Sequence, residues 1–179
     1  MTYRLIAGPE AMAVSLADAR IAARADGSDL DTAIEIQVRT ITEEVEHLTG
    51  RAIINQTYRV TLDEFPDAIR LPAPPVISVT SLKYLDQDGV EQTLHPDDYV
   101  LDNVSEPGYI APAPGLGWPP TADRINAVNV VVVCGYGPTD ATTPATLKGY
   151  ILAKVQEHFA PDGTKESPHL VRLLDRYGV

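Results

Sequence analysis

The period of the apolar residues changes between Thr49 and Tyr58, and no other feature constrains the fold of this chain as much. Before the change, Ile34, Val38, Ile41, Val45 and Leu48 recur at spacings of four and three, which places them on one stripe of an α-helix. The pattern predicts a helix from near Ser28 or Asp29 to Thr49, with Asp29 and Asp31 favourably placed for the helix dipole and Gly50 at the stop. After the change, Tyr58, Val60 and Leu62 alternate with Arg59, Thr61 and Asp63, the pattern of a half-buried strand. One chain must therefore bury both a helix face and a sheet face, which points to an α+β fold.

The flanking segments extend this reading in both directions. Ser15 can cap a short helix over Leu16 to Ala25, with Asp18 three residues on as in a capping box and Gly27 ending it. Leu71-Pro-Ala-Pro-Pro75 breaks regular structure, because proline removes amide donors and holds the backbone extended. Ile77 to Leu85 and Val90 to Leu94 read as strands joined at Asp88-Gly89, a dipeptide suited to the positive φ angles of a hairpin turn. Tyr99 to Leu101 is a further short strand. Glu106 to Pro120 is a Pro/Gly-rich loop carrying Tyr109, Ile110 and the only tryptophan, Trp118, expected to pack back on the sheet. Ile125 to Val133, dense in β-branched residues, predicts a central strand that stops at Gly135-Tyr-Gly137. Thr143-Pro144 then opens a helix with Leu147, Ile151 and Val155 on one face and Pro161 beyond its end, and Ser167-Pro168 repeats the signature. Leu170, Leu173, Leu174 and Tyr177 give the short last helix an apolar stripe, which either closes the chain's own core or docks on a partner. The expected architecture is one α+β domain. Two N-terminal helices (1–57) and a C-terminal helix with a terminal segment (142–179) form a bundle, and a central antiparallel β insertion (58–141) interrupts it.

Composition narrows the function. With 44% hydrophobic and 22% charged residues in 179, the chain can build a packed core. Its longest apolar run, around Val130 to Cys134, is far short of the ~20 residues of a membrane-spanning helix. Met1 to Glu10 lacks the basic, apolar and cleavage regions of a signal peptide, so synthesis in the cytoplasm is expected. The single cysteine, Cys134, reads as a small buried hydrophobe within a Val-rich strand. Residues 1–57 hold 5 basic and 9 acidic residues, 58–141 hold 4 and 12, and 142–179 hold 5 and 4. The acidic middle argues against tight nucleic-acid binding, which needs Lys and Arg to neutralise phosphates, yet suits a surface past which DNA slides.

The motifs of chemistry are weak. Asp86-Gln-Asp88-Gly89 opens like a calcium loop, but Val90 and Glu91 then fall where a ligand and the tight-turn glycine belong, and Asp97 where a bidentate Glu is usual. His47, His95, His158 and His169 are too dispersed for a zinc site. Gly115-Leu-Gly117 and Gly135-Tyr-Gly137 lack the lysine and strand-to-helix context of phosphate loops, and no Gly-x-Ser-x-Gly elbow occurs. Asp97 and Asp98 are adjacent and poorly placed as an acid/base pair. Neither an enzyme nor a cofactor or metal site is expected.

The order of short motifs, by contrast, resembles a known family. Leu48-Thr-Gly50-Arg51-Ala52 closes the long helix and Gln56-Thr57-Tyr58 opens the first strand. Leu71-Pro-Ala-Pro-Pro75-Val76, Val79-Thr-Ser-Leu-Lys-Tyr84, Asp86-Gln-Asp88-Gly89 and Asp98-Tyr99 follow, then Gly117-Trp118-Pro119, Cys134-Gly-Tyr-Gly137 and Pro144 with Leu147-Lys148. In this order they resemble the phage head-tail connector (adaptor) proteins related to the HK97-type adaptor and the phiE125-type DNA-packaging proteins. The resemblance implies a structural subunit of the virion neck, assembling into a ring of about twelve copies. Its partners would be the portal protein and a tail-side neck or stopper protein, with DNA passing through non-specifically. It further implies docking on a neighbouring ring through Leu170, Leu173, Leu174 and Tyr177, and packing between subunits at Trp118 and Tyr136. One departure is that Glu157-His158-Phe159 stands where the family commonly shows an Arg near the end of the main C-terminal helix.

Two rival readings stay open. One is a different neck or tail-completion subunit; the other is a β-rich module binding a small ligand or glycan around Trp118. An exposed Trp118 in a concave groove favours the module, and a Trp118 buried against a neighbour favours the connector.

Overall fold

The computed structural model describes residues 1–161 and 170–178. Their contacts form two compact units, each discontinuous in sequence: Met1–Gly8 with Asn55–Gly135, and Pro9–Ile54 with Tyr136–Val179.

The first unit is built on strands. Strand β1 (Thr2–Ala7) pairs antiparallel with β2 (Gln56–Leu62), which lies beside the central β8 (Val128–Cys134). Beyond β8 come β4 (Val76–Leu85) and β5 (Glu91–Thr93), giving the order β1-β2-β8-β4-β5. A second sheet of three short strands has the order β3 (Ile69–Arg70), β7 (Tyr109–Pro112), β6 (Tyr99–Asp102). Alternation builds the core face of the large sheet. Val60 lies opposite Val130, which lies opposite Leu82, and all three are fully buried. Strand β4 carries two register irregularities, between Val76 and Ser78 and between Val79 and Ser81. Each adds a residue, which spoils the period of two and leaves Ile77 on the exposed side.

Three expectations change in this unit. The amino-terminal stretch, read with the helices, is strand β1 of the large sheet. The segment from Glu106 to Pro120 holds strand β7, whose Ile110 is fully buried opposite Ile69. The central strand starts at Val128 instead of Ile125: Asn126 adopts a φ of 60°, its amide donates to the Asp63 carboxylate at 2.8 Å, and Ile125 stays exposed. At the hairpin, only Gly89 takes a positive φ, 79°. Its amide donates to the Asp86 carbonyl and the Asp86 amide to that of Val90, a turn with a glycine bulge.

The second unit is helical. Helices α1 (Leu16–Ala23), α2 (Asp31–Thr49) and α3 (Ala145–His158) each touch the other two. Their core joins Ala19, Ile34, Val38, Ile41, Val45, Leu147, Tyr150, Ile151 and Val155. Ser15 caps α1 as expected, its hydroxyl accepting the Asp18 amide at 3.0 Å. The helix ends earlier than Gly27, because Arg24 itself takes the left-handed conformation. The Arg24 amide donates to Ile21 and that of Ala25 to Arg20, the paired bonds of a Schellman stop. Helix α2 starts at Asp31, not at Ser28 or Asp29, and the Arg20 guanidinium grips the Asp31 carboxylate, holding it below the ordinary carboxylate range. Leu48, counted on the stripe, is exposed: the stripe outruns its cover by one turn. Helix α3 begins after Pro144 with no side-chain cap, and the buried Thr143 hydroxyl lacks a hydrogen-bond partner. The Ser167-Pro168 signature lies outside the described residues.

Candidate functional site

Among the described residues no three His, Cys, Asp or Glu side chains gather as metal ligands, and no helix is long and apolar enough to cross a membrane. The candidate functional regions are surfaces of each unit.

On the helical unit, the terminal segment forms two successive 3-10 turns, Leu170–Leu173 and Asp175–Tyr177. The tighter winding of a 3-10 helix breaks the stripe expected of an α-helix. Leu174 is 0% exposed and belongs to the helical core, with Leu170 and Tyr177 partly buried against it. The Tyr177 hydroxyl lies 2.9 Å from that of Thr146, and the Arg51 guanidinium stands 5.2 Å from the Tyr177 ring centre. Arg51 also donates to the Tyr136 hydroxyl at 3.2 Å, and the Tyr136 amide donates to the Ile53 carbonyl. The structure thus brings Tyr136, Arg51 and Tyr177 into one cluster, a link that no sequence spacing announces. Leu173 and Val171 stay exposed, so the segment has an inward and an outward side. Beside it lies a groove of about 420 Å³ whose lining mixes apolar Ala22, Phe159 and Leu170 with polar Arg24, Gln156 and Glu157.

On the sheet unit, Trp118 packs on its own chain. Its ring stacks on Phe65 with centroids 4.6 Å apart, and its Nε1 donates to the Pro66 carbonyl at 2.7 Å. Phe65 in turn meets Tyr84 edge-on. One ring face and the N–H of this half-buried tryptophan are thus already engaged within its own unit. The unit's acids hold turns together: Asp86 accepts from Asp88, Val90 and Gln92, and Asp102 from Val104 and Ser105. These bonds lower both carboxyl pKa values, that of Asp102 to about 2, with the Ser105 hydroxyl the largest cause. Cys134 is buried, and burial pushes its thiol up to about 12, far from a nucleophile's range.

One further feature escaped the sequence reading. All six residues of the edge strand β1 are exposed, among them Tyr3, Leu5 and Ile6. Their alternation was the available signal, but no buried face marked it.

No protein-family model matches the chain, and no curated protein matches it in sequence. Solved structures do. The chain is similar to one in the neck of an empty gene transfer agent (GTA) particle computed with C6 symmetry, with a TM-score of 0.79, 23% identity, and coverage of 99% of this chain and 95% of that one. It is similar to a chain of the virion of a native GTA particle, with a TM-score of 0.77, 23% identity and the same coverage. A chain in the neck of a native GTA particle computed with C12 symmetry gives a TM-score of 0.72, 22% identity, and coverage of 99% and 94%. At these identities the likeness establishes a shared α+β fold over the whole chain.

Proposed function

We propose that this chain is a structural subunit of the head-tail connector (adaptor) ring of a tailed phage or a gene transfer agent, located in the particle neck. One observation carries the reading: the likeness to neck chains runs over 99% of the chain, so it takes in both units and the connections between them. The order of short motifs from Leu48 to Lys148 points the same way. In this reading a ring of about twelve copies stands between the portal and a tail-side stopper, closed by a heterologous contact repeated around the axis. The role is mechanical, without catalysis or cofactor. Some of the acids concentrated in 58–141 line the passage and repel phosphate enough that DNA moves without sticking. Leu173 and Val171, the outward side of the terminal segment, meet a neighbouring ring, whereas Leu170, Leu174 and Tyr177 hold that segment to its own unit. The exposed parts of Trp118 and Tyr136 pack against adjacent subunits.

The test is the mass of the purified protein in solution across a concentration series, repeated with a portal protein of the same particle. A ring, formed alone or on the portal, supports the reading. A monomer indifferent to the portal that binds an oligosaccharide instead overturns it in favour of a binding module.

A further inference from the structure

We propose that β1 is the strand by which one copy of this chain joins the next, its free edge pairing with the β5 edge of a second copy. This inference rests on the ring reading above and names the surface that closes the ring. Strand β1 ends the five-stranded sheet, and among the described residues no strand lies beyond it. An open edge is a template for another chain, and natural sheets blunt such edges with lysine, proline, bulges or shortness. Six residues long, β1 has neither lysine nor proline, and its only irregularity lies between Leu5 and Ala7.

The side chains add to the backbone argument. Tyr3 lies opposite Val60, and Leu5 opposite Tyr58, so both share the face on which Val60, Val130 and Leu82 are fully buried. Yet Tyr3 is 57% and Leu5 45% exposed. The apolar face of the sheet therefore runs one strand past its own cover, and a further strand with its side chains would complete it.

Charge selects the occupant. Residues 1–8 carry Arg4 and no acid. The opposite edge, β5, is exposed throughout and contributes Glu91, which is ion-paired with Lys83 of β4 at 2.7 Å, so its net negative charge comes from the flanking Asp86, Asp88, Asp97 and Asp98. Two β1 edges paired with each other would set Arg4 near Arg4, and two β5 edges would set acid against acid, both unfavourable across strands. Joining β1 to β5 matches the charges and is head-to-tail, the arrangement that closes rings; a β1 pair would stop at a dimer.

Cysteine pairs test the contact directly. Thr2→Cys or Arg4→Cys combined with Thr93→Cys, which alternation places on the same face as Arg4 and Glu91, mildly oxidised after assembly, should yield a ladder of disulfide-linked oligomers, and each single variant should not. Cys134 is buried and contributes no background. In parallel, Leu5→Gln, which removes apolar area without adding charge, should raise the concentration for half-assembly by roughly tenfold without moving the thermal midpoint, while Leu5→Met assembles normally. A ring of wild-type mass that gives no ladder from either pair, or a Leu5→Gln variant that assembles like wild type, overturns the β1 contact and leaves the ring reading standing. A wild-type chain that stays monomeric at every concentration and on the portal overturns both.

Discussion

Leu174→Ala decides how firmly the terminal segment belongs to its own unit. The side chain is 0% exposed and part of the helical core. Replacement by alanine withdraws three carbons, which at about 0.8 kcal/mol each amounts to about 2.4 kcal/mol. A cavity that stays open raises the cost to about 3–4 kcal/mol. The Tyr177 hydroxyl bond to Thr146 and the Arg51 contact with the Tyr177 ring oppose simple detachment of the segment, because both would be lost with it. The assay is urea unfolding followed by far-ultraviolet circular dichroism, with Leu173→Ala, an exposed neighbour, as the control. The control should change the unfolding free energy by less than about 1 kcal/mol. If Leu174→Ala costs no more than the control, the segment is a detachable arm held by little. Its five apolar residues would then all be free to serve another ring.

Three further outcomes follow from particular groups. The Asp102 carboxyl has its pKa depressed to about 2, first by the Ser105 hydroxyl and then by the Ser105 and Val104 amides that donate to it, so these bonds stabilise the loop above the ordinary carboxylate pKa of 3.8 and are lost as pH falls from there through about 2. Protection of the Val104 and Ser105 amides, taken as exchange relative to the intrinsic rate at each pH, should accordingly change little down to mildly acidic pH in the native chain and be lower throughout in Asp102→Asn. Cys134 should resist thiol reagents at neutral pH until the protein is unfolded, since its thiol is buried and its pKa lies near 12; fast labelling of the native chain would contradict the packing. Gly137→Ala should lower the thermal midpoint, because the glycine sits at φ 156° and a Cβ there would strike the Thr142 side chain; Thr142→Ala introduced together with it should restore part of the loss.

What the sequence made legible is what periodicity can carry. The stripe from Ile34 to Val45, the alternation from Tyr58 to Leu62 and the Val-rich central strand each bury a face that their own residues mark, and the hairpin is marked by its Asp88-Gly89 turn. Elements whose partners are distant in sequence were not legible. Strand β1 buries no residue, and β3 has two residues and exists through its pairing with β7. Strand β7 itself lies within a stretch that prolines and glycines mark as a loop. Termini of elements shifted where one residue took an unexpected role: Arg24 adopts the left-handed conformation that the reading reserved for Gly27, and Pro144 occupies the cap position assigned to Thr143. The candidate surfaces show the same division. Spacing pointed to Leu170, Leu173, Leu174 and Tyr177 as a set, but only three-dimensional packing separates Leu174 in the core from the outward Leu173.

The charge of the chain bears on assembly through its sign. Each copy carries a formal net charge of −11, so copies brought into the proposed ring repel one another, while the β1 to β5 contact offers Arg4 as its one cation from residues 1–8. Both effects are Coulombic, but they act over different distances. At about 0.01 M salt the screening length is about 30 Å and most charges on adjacent copies feel one another; at about 0.1 M it is about 10 Å and only groups near the contact still interact. Added salt therefore removes mutual repulsion summed over whole subunits faster than it weakens a contact between a single arginine and the acids beside it. The apolar contribution of Tyr3 and Leu5 is insensitive to salt in this range. Assembly should strengthen between about 0.01 and 0.1 M salt, read as a fall in the half-assembly concentration by light scattering or sedimentation. If it weakens instead, attraction between opposite charges outweighs the net repulsion and carries the contact. In that event Arg4→Gln should disrupt assembly more than Leu5→Gln does.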